Sequence, residues 1–229
     1  MSLFHPAVTT CPKCGTKAEV KRVGSVNADR RPEYREAILD GSFQAVACAH
    51  CGEKLRFPPH LVYLDIGRNS WIAVEPVNLT GQWETVENEV FDVFDRGFGP
   101  SAPKAAQELG QFLRPRLVFG WAALREKLRC QDLGLDDTTL ELLKMAIMRQ
   151  VDEPPAADQT ELRLVAGDEA TLRFQWIECE TESALAELDV PRDVYDEIVE
   201  QADGWALARG KFTGALLVDV KRMLTGAAV

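Results

Sequence analysis

The sequence has little that would carry it into a membrane or out of the cell. Its apolar runs fall far short of the ~18 residues that suggest a membrane-spanning helix. The segment Met1–Pro6 has no basic region followed by an apolar stretch, which is the pattern of a secretory signal. We therefore expect a cytoplasmic protein with no membrane association.

The sequence also lacks the short motifs that identify large enzyme classes. It contains no P-loop, no G-x-S-x-G nucleophile turn and no H-E-x-x-H zinc-protease motif. Gly97-Phe98-Gly99 lacks the third glycine and the flanking strand of a dinucleotide-binding loop. The sequence therefore assigns no catalytic residue.

The chain also has no net positive charge. The formal net charge is −10, divided between +3 for residues 1–60 and −13 for residues 61–229. A chain this acidic repels a polyanion over most of its surface, so we do not expect it to bind nucleic acid. A contiguous basic face on the N-terminal part would favour that alternative, and its candidate residues are Lys17, Lys21, Arg22, Arg30 and Arg31.

The sequence does contain two C-x-x-C-G motifs, Cys11–Gly15 and Cys48–Gly52. Each motif places two thiols in one tight turn, and two such turns complete a tetrahedral shell of four thiolates, the closed arrangement of structural zinc. In a reducing compartment, paired cysteines are more often metal ligands than disulfides. The sequence therefore predicts one Zn²⁺ bound by Cys11, Cys14, Cys48 and Cys51.

Other assignments of the thiols and histidines remain open at this point. Four thiolates also suit iron in a rubredoxin-like site. A redox role is disfavoured, because a reactive C-x-x-C pair begins a helix and here glycine and polar residues follow each motif. His50 and His60 can in principle ligate, but beside four cysteines we expect exposed polar side chains. The apolar surroundings of Cys130 and Cys179 predict buried, inert thiols.

The periodicity predicts an α+β protein. Strands over 18–23 and 43–48 and a helix over 32–40 give a zinc ribbon with an inserted helix. Mostly β structure follows, then a helical pattern of apolar residues from Val86 to Phe94. Further helices are predicted over about 103–113, ended by Pro115, over about 121–131, and over about 138–150, opened by a capping box at Thr138–Glu141.

The prolines at 154 and 155 predict a linker over 151–159 between two domains. Residues 1–150 then form a zinc-binding domain, with the zinc module at about 8–60 and a helical part at about 101–150. Residues 160–229 form a small α+β region with a hairpin around Gly167-Asp168 and an amphipathic helix over 191–202. The periodicity of 215–224 fits a strand and a helix equally well.

A run of carboxylates follows Trp83: Glu84, Glu87, Glu89, Asp92 and Asp95. Paired carboxylates can act as acid and base or can bind a hard cation. The interpretation we favour is the solvated face of an amphipathic segment, because the chain is acidic overall. Converging carboxylates in a pocket would favour the enzyme alternative, with its site around residues 84–95.

Several patches of the sequence, in order, resemble the CpXC-motif domain of bacteria and archaea. The resemblance rests on Cys11-Pro12-Lys13-Cys14-Gly15, Val26-Asn27-Ala28, Pro32, Arg35-Glu36, Gly41, Cys48, Cys51-Gly52, Tyr63, Asp65, Leu124–Leu128, Leu135–Asp137 and Glu141–Lys144. It covers roughly residues 8–150, and Ala49 departs from the proline that is usual in the second motif. The resemblance implies a fold unit and a metal, and it implies no activity.

Together these observations favour a non-enzymatic interaction or regulatory module whose structural zinc supports a surface for protein partners. The alternatives are the acidic enzyme site and a weak nucleic-acid-binding zinc ribbon. A flat apolar patch on the surface would favour the protein-partner interpretation.

Overall fold

The computed structural model describes residues 3–151 and 159–225. The strands are β1 (Leu3–Thr10), β2 (Lys17–Asn27), β3 (Ala45–Ala47), β4 (Lys54–Arg56), β5 (Leu61–Asp65), β6 (Ser70–Glu75), β7 (Arg114–Phe119), β8 (Thr160–Gly167), β9 (Thr171–Glu178) and β10 (Ala184–Pro191). The helices are α1 (Pro32–Leu39), α2 (Trp83–Phe98), α3 (Lys104–Gly110), α4 (Gly120–Asp132), α5 (Asp137–Gln150), α6 (Arg192–Glu200), α7 (Ala206–Gly210) and α8 (Lys221–Thr225). This mixture of helices and mixed sheet confirms the predicted α+β class.

A five-stranded mixed sheet in the order β1-β2-β5-β6-β7 forms the centre of the molecule. β1 and β2 are antiparallel, as are β5 and β6, whereas β2 runs parallel to β5 and β6 runs parallel to β7. Alternate side chains of β6 therefore point into two different cores. Ile72 packs in a cluster with Leu124 of α4, and Trp71 packs in another with Val86 and Val90 of α2.

The N-terminal module follows the predicted plan of a ribbon with an inserted helix. The β1–β2 hairpin carries the first C-x-x-C turn, and the short β3–β4 hairpin carries the second. α1 lies between them in sequence, begins with Pro32 at its first turn and ends before Gly41, whose φ is +78°. Positive φ is a conformation that glycine adopts without a steric cost.

One predicted boundary is wrong: Pro115 does not follow a long helix but lies within β7. α3 ends at Gly110, and Pro115 pairs with Trp71 in the parallel β6–β7 ladder. Proline lacks the N–H that a central strand needs, but β7 is an edge strand of this sheet, where one side of the ladder requires no donor.

The capping box predicted at Thr138–Glu141 is also wrong. The N-cap of α5 is Asp136, whose Oδ1 accepts hydrogen bonds from the backbone N–H and the hydroxyl of Thr139. An aspartate satisfies the free N–H groups of a first turn as well as a threonine does. Glu141 is completely buried instead.

A three-stranded antiparallel sheet, β10-β9-β8, packs with α5 and α6 in a third core. Leu140 and Leu143 of α5 share this core with Leu164 and Phe174 of the sheet, so residues on both sides of 152–158 contribute to it. The linker predicted over 151–159 falls almost wholly outside the described residues, and the division into two domains stays a prediction.

The 215–224 stretch, which fitted both periods, is an irregular segment followed by α8. The backbone N–H groups of Leu216 and Leu217 each donate to Glu87 Oε1 at 2.8 Å. This side-chain oxygen takes the place of the backbone carbonyls that a neighbouring strand would offer. In the described part of the chain, no helix combines the length and the apolar composition that crossing a membrane requires.

Candidate metal centre

The two C-x-x-C turns have the same backbone geometry. In the first, Gly15 N–H donates to the carbonyl of Cys11, and Cys11 N–H donates to the carbonyl of Thr16, both at 2.9 Å. In the second, the bonds from Gly52 to Cys48 and from Cys48 to Glu53 are 2.9 Å and 2.8 Å long.

Both turns close on a glycine with φ of +73°. A Cβ atom at Gly15 or Gly52 would meet no atom within 4 Å, so the backbone angle alone selects glycine there. For other residues this left-handed conformation costs roughly 1–2 kcal/mol.

The structure brings the four predicted cysteines together. One ligand atom from each of Cys11, Cys14, Cys48 and Cys51 lies within 4.8 Å of the other three. The sulfur of Cys11 is 3.6 Å from that of Cys51, and the sulfur of Cys14 is 3.7 Å from that of Cys48. These contacts cross between the two turns, and the thiols are free rather than disulfide-bonded. The cluster can therefore hold one metal ion between the hairpins.

Hydrogen bonds favour the thiolate forms that bind metals. Hydrogen bonding to the side chain and backbone of Thr16 lowers the pKa of Cys14 to about 6. The backbone N–H groups of Cys51 and His50 lower the pKa of Cys48. At Cys51 the Glu53 backbone favours the thiolate, but burial and the neighbouring sulfurs raise its pKa to about 12. A bound cation would stabilise the fully ionised cluster.

Neither histidine joins the cluster. The side chain of His50 is exposed, and His60 Nδ1 lies 2.6 Å from Glu75 Oε2. Cys130 and Cys179 are buried as predicted, and burial raises the pKa of each thiol. Among residues 3–151 and 159–225, no other group of three or more His, Cys, Asp or Glu side chains is arranged to hold a metal.

The carboxylates of α2 do not converge on a pocket. Glu84, Glu89 and Asp92 are exposed. Glu87 accepts the backbone bonds of the 216–217 segment and pairs with Arg222 at 2.8 Å. Glu87 therefore fastens the C-terminal segment to α2. Asp95, the remaining carboxylate of the run, is partly buried.

The basic residues of the N-terminal part do not form one face. Lys17 and Lys21 lie on the same side of β2 with Glu19 between them, as the alternation of a strand requires. Arg22 donates to the carbonyl of Pro58, and Arg31 pairs with Glu33.

Glu182, which no sequence motif singles out, attaches the N-terminal module to the rest of the molecule. Its carboxylate lies 2.7 Å from both Arg56 of β4 and Arg125 of α4, and it accepts the N–H of Ala122 at 2.8 Å. Nearby, Trp121 Nε1 donates to the carbonyl of Phe57 at 2.7 Å. These partners are far apart in sequence, so no local pattern could reveal them.

Comparison with known proteins agrees with this geometry. No curated protein and no solved structure matches the chain. The family model described as "CpXC protein" matches residues 9–144, which include all four clustered cysteines and more than half of the chain. The chain therefore belongs to the CpXC family.

Proposed function

We propose that Cys11, Cys14, Cys48 and Cys51 bind one Zn²⁺ and that this zinc is structural. The observation that carries the proposal is the packing of four sulfurs from two matching turns into one cluster. Four sulfurs at the usual Zn–S distance of about 2.3 Å form a tetrahedron with edges of about 3.8 Å. The 3.6 Å and 3.7 Å contacts across the two turns fit that size.

A closed shell of four thiolates supports a non-enzymatic role. A catalytic zinc keeps one position open for water or substrate, and its three protein ligands often include histidine. His60 is instead paired with Glu75, and His50 points to solvent. We infer that the metal organises the module and takes no part in a reaction.

The small size of the local core explains what the metal would contribute. Around the sulfurs, the buried apolar cluster consists of Cys11, Cys48 and Leu55, with Cys51 packed against it. The ion pair between Lys13 and Glu53 connects the two turns at 3.1 Å but is largely exposed, so it contributes little. Metal binding would therefore supply most of the free energy that holds the two C-x-x-C turns together. Beyond the turns, Gln44 also connects the hairpins, because it accepts from Val23 N–H and donates to the carbonyl of Lys21, both at 3.0 Å.

The surface that this module presents suits a protein partner better than nucleic acid. β1 is the outer strand of the five-stranded sheet and exposes Leu3, Phe4 and Val8. Unpaired strand edges with apolar side chains accept extended segments of other proteins. The interrupted basic residues and the net charge of −10 argue against a nucleic-acid role.

Cobalt substitution tests the closed shell. With Co²⁺ in place of the native metal, we expect the strong visible absorption of a tetrahedral thiolate site, unchanged when azide or imidazole is added. The variant Cys14→Ala is the control, because loss of this exposed ligand opens one position and the spectrum should then respond to imidazole. A wild-type spectrum that shifts with imidazole would reveal an open site and contradict the structural assignment.

A further inference from the structure

A cavity of about 80 Å³ lies away from the cysteine cluster, between the starts of β6 and β7, the C-terminal half of α4 and the start of α5. Its charged and polar lining includes Arg68, Arg114, Arg116, Lys127, Gln131 and Asp137. Four of these side chains are cationic and one is anionic. In a chain with a net charge of −10, such a concentration of positive charge requires an explanation.

The sheet register produces this concentration. Arg114 and Arg116 are two residues apart on β7, so both side chains point to the same face of the sheet. On β6 their partners are Ser70 and Ile72, which also line the cavity. The sequence does not reveal this pair, because Pro115 fits the end of a helix as well as it fits an edge strand.

The single carboxylate of the lining is already engaged. Asp137 accepts two hydrogen bonds from Arg116, at 2.7 Å and 3.1 Å, and one from Lys127 at 3.1 Å. It therefore holds these two cations in position and offsets part of their charge. Lys127 Nζ also donates to the carbonyl of Val218 at 2.6 Å and lies 3.8 Å from Glu141, and Arg116 donates to the carbonyl of Pro115 at 3.0 Å. Arg68 pairs with Asp65 at 3.2 Å. The guanidinium of Arg114 makes no hydrogen bond or ion pair with any described residue.

The cavity also contains an acceptor that lacks a donor. Gln131 Nε2 donates to Ser70 Oγ, whereas Gln131 Oε1 is buried and receives no hydrogen bond from the described residues. A buried acceptor without a donor is destabilising, so such atoms usually mark a missing partner. A ligand that suits this cavity therefore combines negative charge with at least one O–H group.

We propose that this cavity binds a hydrogen phosphate group, either as inorganic phosphate or as the end of a small phosphate monoester. The guanidinium of Arg114 binds the oxyanion directly, since guanidinium groups bind phosphate oxygens in pairs, and Arg116 and Lys127 add positive charge to the lining although both are engaged by Asp137. A protonated phosphate oxygen donates to Gln131 Oε1. The volume suits the phosphate group alone, because a cavity of about 150 Å³ is needed for a molecule the size of benzene. The organic part of a bound ester would extend out of the cavity at its rim, where Arg114 is exposed.

Calorimetric titration of the zinc-loaded full-length protein at constant ionic strength tests the proposal. We expect saturable binding of inorganic phosphate. Glycerol phosphate provides the second arm: tighter binding than that of inorganic phosphate identifies an ester, and weaker binding identifies the free ion. Absence of saturable binding for both ligands would overturn the proposal.

Two variants and a control connect that binding to the cavity. Arg114→Gln should weaken phosphate binding about tenfold or more, since a tenfold change corresponds to ~1.4 kcal/mol. Arg96→Gln removes the same charge from the exposed face of α2 and should leave the affinity within about twofold. Gln131→Glu keeps the size of the side chain but adds a carboxylate that competes for the cations, so it should abolish binding. Equal effects of the two arginine variants, or unchanged binding by Gln131→Glu, would contradict the assignment.

Discussion

Lys144 of α5 and Glu126 of α4 are both completely buried, and their charged groups lie 2.9 Å apart. They belong to a larger set of buried ions. Arg163 of β8 donates to Glu126 at 2.8 Å and to Asp219 at 2.7 Å, and Leu164 N–H donates to the other oxygen of Glu126. Charged groups survive this burial only because each has partners of opposite charge. The set connects the helices of the family-matched region with the C-terminal sheet.

Removal of one member should therefore be costly. Lys144→Met keeps most of the side-chain volume but leaves Glu126 and Glu141 without a shared cation. We expect a loss of about 3–5 kcal/mol in the free energy of unfolding, measured by urea denaturation. Arg173→Met is the matched control, because Arg173 and Asp189 form an exposed pair at 2.8 Å. That change should cost no more than about 1 kcal/mol. Equal costs for the two variants would show that removal of Lys144 does not leave an uncompensated buried charge.

The pH dependence of stability tests a second member of this set. Burial raises the pKa of Glu141 from 4.5 to about 7, although Lys144 opposes the shift. The folded protein then binds a proton that the unfolded chain has released, so this carboxyl group lowers stability as the pH rises from 4.5 towards 7. The slope for one proton is at most ~1.4 kcal/mol per pH unit. Between these pH values, Glu141→Gln should lose stability less steeply than the wild type. Parallel curves would contradict the shift.

The cluster of four cysteines could be predicted because its signals are local. Two C-x-x-C-G motifs define both turns, and each glycine marks a positive φ. The same holds for α1, where Pro32 and Gly41 mark the two ends. α5 has strong periodicity of its own, and the range of about 138–150 that the sequence predicts differs little from the observed Asp137–Gln150. For α2 the helical spacing from Val86 to Phe94 indicates the helix but not its full length, Trp83–Phe98.

The remaining features depend on residues that are distant in sequence. Pro115 is compatible both with the end of a helix and with an edge strand. Only its pairing with the neighbouring strand β6 shows which of the two it occupies. Glu126 and Arg163 each look like surface residues in sequence, because charged side chains are mostly exposed. Their pairing across 37 positions follows from the packing of α4 against β8, which no local pattern encodes.

Loss of one of the four clustered cysteines should unfold one part of the chain selectively. In Cys48→Ser we expect the two turns and the β3–β4 hairpin, residues 9–17 and 45–56, to lose hydrogen-exchange protection. The end of β2 that pairs with β5, together with β8, β9 and α6, should keep its protection. Cys179→Ser is the matched control, because it changes a buried thiol outside the cluster. The same exchange pattern in both variants would show that the cysteine cluster does not hold the module together.

Metal analysis of the purified protein tests the central claim most directly. The account predicts one zinc per chain for the wild type and for Cys179→Ser, and a loss of zinc for Cys48→Ser. Iron in stoichiometric amount would contradict the assignment of the metal. A wild-type protein with far less than one zinc per chain after expression in zinc-replete medium would contradict the structural role itself.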